Sequence, residues 1–452
     1  MRILIIGGDA AGMSAAMQIR RRQPDWKITV LEKGRYTSYA SCGIPYYLAR
    51  DVPDLEDLVV VSPSAFREKC GVDVRDGWEA LEIDSANKHV RASDPDGHAR
   101  KLVYDRLLIA TGAAPIVPRW QGVDLEGVVP VRNLSDTERL DALLDRGPRR
   151  AVIIGAGYIG LEMAEALRRR GLEVTVVEKL PGVMGGAEAE VTEQVAAEME
   201  KQGIELRLET EVQALAGRKN RLAVVETTAG PLAADLAILA LGVRPNSQLA
   251  HGAGIALGAS SAIRVDRQQR TSSEDVFAAG DCAEAEHLVL RRPTWIPLAL
   301  TANRQGRVAG AVISGDDDVF PGVVGSAVTR VFELTLARTG IDEATAIREG
   351  IAHETVDVTA PSKAHYFPGH EPLWVKLVYR KDDHKLLGAW LVGRDSSAGK
   401  RSDILATAIT AGMTIEQIAN LDLCYAPPFS PVWDPVLQAA SKARFALAAS
   451  RP

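Results

Sequence analysis

Cysteine is scarce in this chain: its 452 residues hold four, Cys42, Cys70, Cys282 and Cys424, far apart and in no metal-ligand spacing. That scarcity excludes a disulfide framework and a zinc site, and it fits a reducing, cytoplasmic home. No apolar run approaches the length of a membrane span. Nor does the chain open with the charged, apolar and small-residue series of a signal peptide, because Met1-Arg2 leads straight into a short strand. A large charge of one sign is also lacking. The net charge of -6, with both signs mixed throughout, leaves no footprint for nucleic acid, and the runs Arg20-Arg21-Arg22 and Arg168-Arg169-Arg170 read as solvated helix faces. With 46% hydrophobic and 25% charged residues and no low-complexity tract, a soluble protein of two or three globular domains is expected.

The most informative stretch is Ser41-Cys42-Gly43-Ile44-Pro45-Tyr46-Tyr47. A turn followed by Ile44-Pro45-Tyr46-Tyr47-Leu48 predicts the opening of a helix, with Pro45 tolerated in its first turn. Cys42 then lies at the helix N-terminus, where unpaired N–H groups and the helix dipole favour an anion. Its thiol is expected to titrate low and to act as a nucleophilic thiolate. A buried structural cysteine is the commoner fate of a lone Cys, so the company Cys42 keeps has to decide.

One motif is used twice. Arg2 to Ile6 reads as a buried strand, Gly7-Gly8-Asp9-Ala10-Ala11-Gly12 as a tight turn, Met13 onward as a helix, and Ile28 to Leu31 as a second strand closed by Glu32. Backbone N–H groups at such a helix start hold a pyrophosphate, while the terminal carboxylate takes ribose hydroxyls. Asp9 replaces the middle glycine, so this copy matches imperfectly. The second copy is complete: strand Ala151 to Ile154, turn Gly155-Ala156-Gly157-Tyr158-Ile159-Gly160, helix Leu161 to Arg170, and strand Val174 to Val177 ending in Glu178. Two nucleotide sites in one chain imply electron transfer between two dinucleotides. Glu178 favours NADH by opposing a 2′-phosphate, and Lys179 beside it softens that preference and leaves NADPH open. Tyr104-Asp105-Arg106-Leu107-Leu108-Ile109-Ala110-Thr111-Gly112 reads as a strand and turn where the chain leaves one domain. Leu239-Ala240-Leu241-Gly242-Val243-Arg244-Pro245-Asn246 has the same shape and marks the return. Val276-Phe277-Ala278-Ala279-Gly280-Asp281 ends in an aspartate that is either a helix cap or, in a flavoprotein, a partner of the ribityl chain.

The order GGDAAG, SCGIPYY, YDRLLIATG, GAGYIGLE, LGVRPN, FAAGDCAE resembles the FAD-dependent pyridine nucleotide–disulfide oxidoreductases nearly end to end. Within them it is most similar to the single-cysteine branch of coenzyme A disulfide reductases, NADH oxidases and peroxidases, and persulfide or polysulfide reductases. The resemblance implies an α/β fold of two Rossmann-like dinucleotide-binding domains, the NAD domain inserted in the FAD domain, plus a C-terminal α+β dimerisation domain. Residues 1–116 and 243–320 are expected to form the FAD domain, 117–242 the NAD(P)H domain and 321–452 the dimerisation domain. Cofactor binding then falls to Gly7, Gly8, Ala11, Gly12, Glu32, Lys33, Ala80, Thr111, Gly112, Asp281 and Ala299, and to Gly155, Gly157, Tyr158, Ile159, Gly160, Glu162, Glu178 and Gly242. Tyr158 would gate the nicotinamide pocket and Glu162 would orient the carboxamide.

After Cys42 the next cysteine is Cys70, so the C-x-x-x-x-C pair of glutathione reductase is absent, and electrons reaching Cys42 leave through an oxidised cysteine or a mixed disulfide with substrate. Ala10 stands where the oxidases and peroxidases carry a histidine, which counts against peroxide chemistry. His365-Tyr366-Phe367-Pro368-Gly369 and Tyr425-Ala426-Pro427-Pro428-Phe429-Ser430 resemble the two tyrosine motifs of coenzyme A disulfide reductases, which adds Tyr366 and Tyr425 to Cys42 as expected catalytic residues. Ser14, Gln18 and Arg21, on one helix face, match positions that contact coenzyme A, as does Ser38. Ser41 replaces an asparagine and Asn303 a histidine usual in that subsite, both keeping a polar group. Many persulfide reductases of this lineage add a rhodanese domain, and none is expected in the residues up to Pro452.

The expected activity is flavin-dependent disulfide reduction. Electrons would pass from NADH, with NADPH possible, through FAD to Cys42 and a coenzyme A disulfide or related small disulfide, in a homodimer with shared active sites. The alternatives are an NADH-dependent persulfide or polysulfide reductase, a water-forming NADH oxidase, and a flavoprotein that donates electrons to a protein partner.

Overall fold

The strand Arg2–Ile6 is exposed only at its first residue, because it lies at the centre of a parallel sheet covered on both faces. The computed structural model describes residues 1–258 and 260–449. In that first sheet the order is Val276–Ala278, Arg106–Ile109, Arg2–Ile6, Lys27–Glu32 and Asp73–Asp76, all parallel. A second parallel sheet repeats the plan in the order Glu205–Arg207, Glu173–Val177, Arg150–Ile154, Leu236–Leu239 and Val128–Pro130. In each, the strand feeding the glycine turn is central and the strand ending in the acid lies beside it.

Both glycine helices begin earlier than their sequence predicts. The first runs Ala10–Arg22 and the second Tyr158–Arg169, with Asp9 and Gly157 as their extended N-caps. The last residues of each glycine turn are therefore already helical, and Gly12 and Gly160 sit in the first helical turn. A Cβ there would lie 1.9 Å from the carbonyl oxygen of Gly7 or Gly155, so only glycine lets the helix start so close to its strand. The first helix packs on the helix Ala299–Ile313, where a Cβ on Gly306 would lie 2.2 Å from Ala11 O.

The third large sheet is antiparallel, in the order Ala327–Val331, Leu334–Gly340, Leu386–Gly393, Pro372–Arg380 and His353–Pro361. Within it Pro372–Arg380 pairs antiparallel with Leu386–Gly393. Leu386–Gly393 is buried along its whole length, because the helices Ser397–Thr410 and Pro435–Ala449 cover one face of the sheet while Trp374, Trp390 and Val392 join a different core on the other. That second core is shared with Leu161, Met163, Val191 and Met199 of the second glycine unit and with Ile44, Tyr47 and Leu48. Among the described residues no helix is long and apolar enough to cross a membrane.

Candidate active site

At the first glycine turn, the Glu32 carboxylate accepts from Gly8 N at 2.8 Å and Gly34 N at 2.6 Å. Burial pushes its carboxyl up, and these two N–H groups draw it back. Gly7, Gly8 and Gly12 surround the helix start, while Ala11 packs its methyl toward Gly280. Lys33, next to the acid, pairs outward with Glu79 at 2.7 Å. Ala80 lies in the strand Glu79–Asp84, just beyond Trp78, whose N–H donates to Glu32 O. Thr111 Oγ1 donates to Asn246 O at 2.6 Å and Asn246 Nδ2 to Thr111 O at 2.8 Å, joining the two chain crossings at Gly112. Asp281 is held by Arg132 at 2.7 Å, and Ala299 opens the helix Ala299–Ile313.

The second turn repeats this arrangement. Glu178 accepts from Ala156 N at 2.8 Å and Leu180 N at 2.9 Å, and Gly155, Gly157 and Gly160 bracket the turn before Tyr158 and Ile159 open the helix. No atom lies within 4 Å of where a Cβ on Gly157 would stand, so the turn is open at its helix start. Gly242 accepts from Ile116 N at 2.9 Å where the chain crosses back. Helix-start N–H groups, close-approach glycines and a strand-end carboxylate occur in both turns, so the residues present fit a dinucleotide at each.

Between the turns lies Cys42. It falls in the 3-10 turn Ser41–Gly43, ahead of the helix Ile44–Leu48 with Gly43 as N-cap, and it is free and exposed. The low thiol pKa expected from the helix dipole is not found. Crowding by surrounding protein pushes the thiol up even though the residue opens to solvent, and the carboxylates of Glu162 and Asp281 push it further, against Ser41 and Arg132. The raising influences outweigh those of Ser41 and Arg132. Glu162 comes from the second glycine helix and Asp281 from the far end of the first sheet, so Cys42 sits where both units reach it.

The remaining expected residues divide. Ser14 Oγ donates to Asn303 Oδ1 at 2.7 Å, so the fold brings two of the expected substrate residues together across 289 positions. Ser38 donates its N–H to Gly8 O at 3.0 Å, above the first turn, and Ser41 hydrogen-bonds the Cys42 sulfur. Arg21 is exposed, but Gln18 is turned inward against the helix Ala299–Ile313 and is 9% exposed. Tyr366 and Tyr425 are exposed on the C-terminal domain; Ala364 N donates to Pro427 O at 3.2 Å and ties their segments together, and the Tyr366 phenol pushes that of Tyr425 up. Sequence reasoning missed Arg132 and Thr329. Arg132 precedes the capping-box helix Leu134–Leu144 with no motif to mark it, and the partner of Thr329 is 167 positions away.

Residues 1–306 match the family described as pyridine nucleotide-disulphide oxidoreductase, and residues 326–435 match the dimerisation domain of the same family. The chain belongs to this family. Its members are NAD(P)H-dependent flavin oxidoreductases, and FAD and NAD(P)H are their characteristic cofactors. Among relatives of this oxidoreductase, an NAD(P)H coenzyme A polysulfide/persulfide reductase of Pyrococcus horikoshii is 38% identical, covering 98% of each chain. A coenzyme A disulfide reductase of Staphylococcus epidermidis is 29% identical over 95% of this chain and 96% of that one. The structure of an NAD-dependent persulfide reductase from A. fulgidus superposes with a TM-score of 0.97 at 39% identity, covering 99% of this chain and 84% of that one.

Proposed function

We propose that the chain uses NAD(P)H to reduce sulfur–sulfur bonds of small molecules, either coenzyme A disulfide or a coenzyme A persulfide or polysulfide, at Cys42. The observation that carries this reading is the position of Cys42: exposed, unpaired, and within electrostatic reach of Glu162 on one side and Asp281 on the other. The relatives named above act on such sulfur substrates, and the polar pair Ser14–Asn303 supports a subsite for the coenzyme A moiety.

In this reading residues 1–116 and 243–320 bind FAD, 117–242 bind NAD(P)H, and 321–452 dimerise. Gly8, Gly12, Glu32 and Asp281 hold FAD, which when bound supplies the passage of two electrons from NAD(P)H to the sulfur of Cys42. Gly157, Tyr158, Glu162 and Glu178 hold NAD(P)H. Arg132 and Ser41 favour the Cys42 thiolate against its acidic neighbours. The thiolate attacks one sulfur of the substrate disulfide, forming a mixed disulfide, and the other sulfur leaves as a thiol after taking a proton. Hydride equivalents from NAD(P)H then convert the mixed disulfide to Cys42 thiolate and the second thiol, the hydride supplying both electrons and the proton of that thiol, with no further proton consumed. Tyr425, with Tyr366, donates the proton to the partner subunit's reaction.

Steady-state assay with NADH and, in turn, coenzyme A disulfide, coenzyme A persulfide, polysulfide and oxygen tests this reading. Coenzyme A thiol should form with the wild type and fail to form with Cys42→Ser, which should still bind FAD. Thiol formation undiminished in Cys42→Ser would discard the reading. Oxygen consumption exceeding every sulfur substrate would establish the oxidase instead. A mixed dimer of Cys42→Ser with Tyr425→Phe subunits should retain about half the wild-type rate if each tyrosine serves its partner.

A further inference from the structure

Adjacent residues of the strand Ala327–Val331 reach two carboxylates one turn apart on the helix Tyr158–Arg169. Thr329 Oγ1 donates to Glu162 Oε1 at 2.8 Å, and Arg330 donates to Glu165 Oε1 at 2.9 Å. Phe332 N adds a bond to Glu165 Oε2 at 2.7 Å. Thr329 is 4% exposed, so this contact is an internal one, made across the seam between the C-terminal sheet and the pyridine-nucleotide unit.

We propose that Thr329 is a positioning residue of the nicotinamide pocket: its hydroxyl, delivered from the C-terminal sheet, fixes the Glu162 carboxylate and leaves the other oxygen to accept from the carboxamide of NAD(P)H. The proposal rests on the reading of Glu162 as the carboxamide acceptor. Geometry supports the division of labour between the two contacts. Glu165 is already saturated by Arg330, Phe332 N and, at 3.6 Å, Arg169, and it fastens the strand to the helix. Glu162 has Thr329 as its hydrogen-bond donor, so removing one hydroxyl frees the carboxylate to rotate without unfastening the seam.

The charges around Glu162 give the contact a separate signature. Burial pushes the carboxyl up, the Thr329 hydroxyl draws it down, Glu165 pushes it up and Arg330 draws it down. Cys42, Tyr46 and Tyr158 also face it, and its charge in turn pushes each of them up. Taking away the hydroxyl removes a donor that favours the carboxylate, so Glu162 must titrate at higher pH. The acidic limb of NADH-dependent flavin reduction should move with it.

Stopped-flow reduction of the FAD-loaded enzyme by NADH tests this without any sulfur substrate. Thr329→Val should raise the apparent NADH dissociation constant or lower the limiting rate by about tenfold, and move the acidic limb up by about half a pH unit. FAD content and melting temperature should stay those of the wild type, and Thr329→Ser should restore both the rate and the limb. Thr329→Val with unchanged kinetics, or with slowed kinetics that Ser does not rescue, would overturn the proposal. If Val lowers the melting temperature, Thr329→Ala removes the same hydroxyl with less bulk and is judged by the limb alone. Glu162→Gln separates the two readings. If Glu162→Gln leaves NADH reduction untouched, the role of Glu162 itself falls and the proposal falls with it. If Glu162→Gln slows reduction while Thr329→Val does not, only the part assigned to Thr329 falls.

Discussion

In the first glycine unit the strand-end acid Glu32 accepts from Gly8 N and Gly34 N. In the second, Glu178 accepts from Ala156 N and Leu180 N in the same two places. The middle of the turn is where they part. Asp9 occupies it in the first unit, its carboxylate buried and reaching Tyr39 N at 3.3 Å, while Ser38 N bonds Gly8 O beside it. Gly157 occupies it in the second, with nothing near the place of a Cβ. A turn walled in by the loop that carries Cys42 suits a group that stays through many turnovers, and an open turn suits one that comes and goes. In the proposed reading, the same βαβ unit serves two kinds of ligand according to what is laid over its glycines.

That contrast is open to direct attack. The largest effect is expected from Gly12→Ala, whose Cβ would lie 1.9 Å from Gly7 O. It should lose FAD and cost at least about 3 kcal/mol in urea denaturation, whereas Gly157→Ala should stay within about 0.5 kcal/mol of wild type. Equal costs would mean that the space beside Gly157 is as closed as that beside Gly12.

Next comes Asp9, whose carboxyl is raised to about 6, first by burial and further by Glu32. The folded chain keeps a proton there that the unfolded chain releases above about pH 4. The stability tied to that proton is therefore full below about pH 4 and lost as pH rises through about 6. Asp9→Asn should gain on the order of 2 kcal/mol over wild type at pH 7.5 and almost nothing at pH 4. A gain independent of pH would place the Asp9 charge outside the crowded turn.

On the second unit, Glu178→Ala should raise the NADPH to NADH efficiency ratio by roughly tenfold, about 1.4 kcal/mol. An unchanged ratio would mean that the carboxylate serves only Ala156 N and Leu180 N. The smallest effect belongs to its neighbour. Lys179 is paired with Glu211 at 2.8 Å on the exposed surface, so Glu211→Gln should release the ammonium toward a 2′-phosphate and raise the same ratio by about twofold, the scale of an exposed ion pair.

Strands, glycine turns and terminal acids were legible in the sequence because each is a local pattern. Ile3 to Ile6 is apolar because it lies inside a sheet, and Gly12 is glycine because Gly7 O leaves no room. Helix starts were misjudged by three residues at both turns because the turn residues Ala10 and Tyr158 already have helical geometry. The acidity of Cys42 was not legible at all. It depends on Glu162 and Asp281, residues from two other elements whose approach no spacing around Cys42 announces. Gln18 had the helical spacing of a surface residue, yet the helix Ala299–Ile313 covers it, and that pairing is a long-range fact.

The core that joins Trp374, Trp390 and Val392 of the C-terminal sheet to Leu161, Met163 and Met199 has a mechanical meaning. Elements that share one interior cannot slide or hinge apart without opening it to water, so the seam between the C-terminal sheet and the second glycine unit acts as a weld. If Tyr158 gates the nicotinamide site as proposed, admission of the dinucleotide rests on side-chain rearrangement rather than on a domain swing of microseconds to milliseconds. On that proposal, reduction of the flavin waits on encounter with NADH and on chemistry, with no slow jaw.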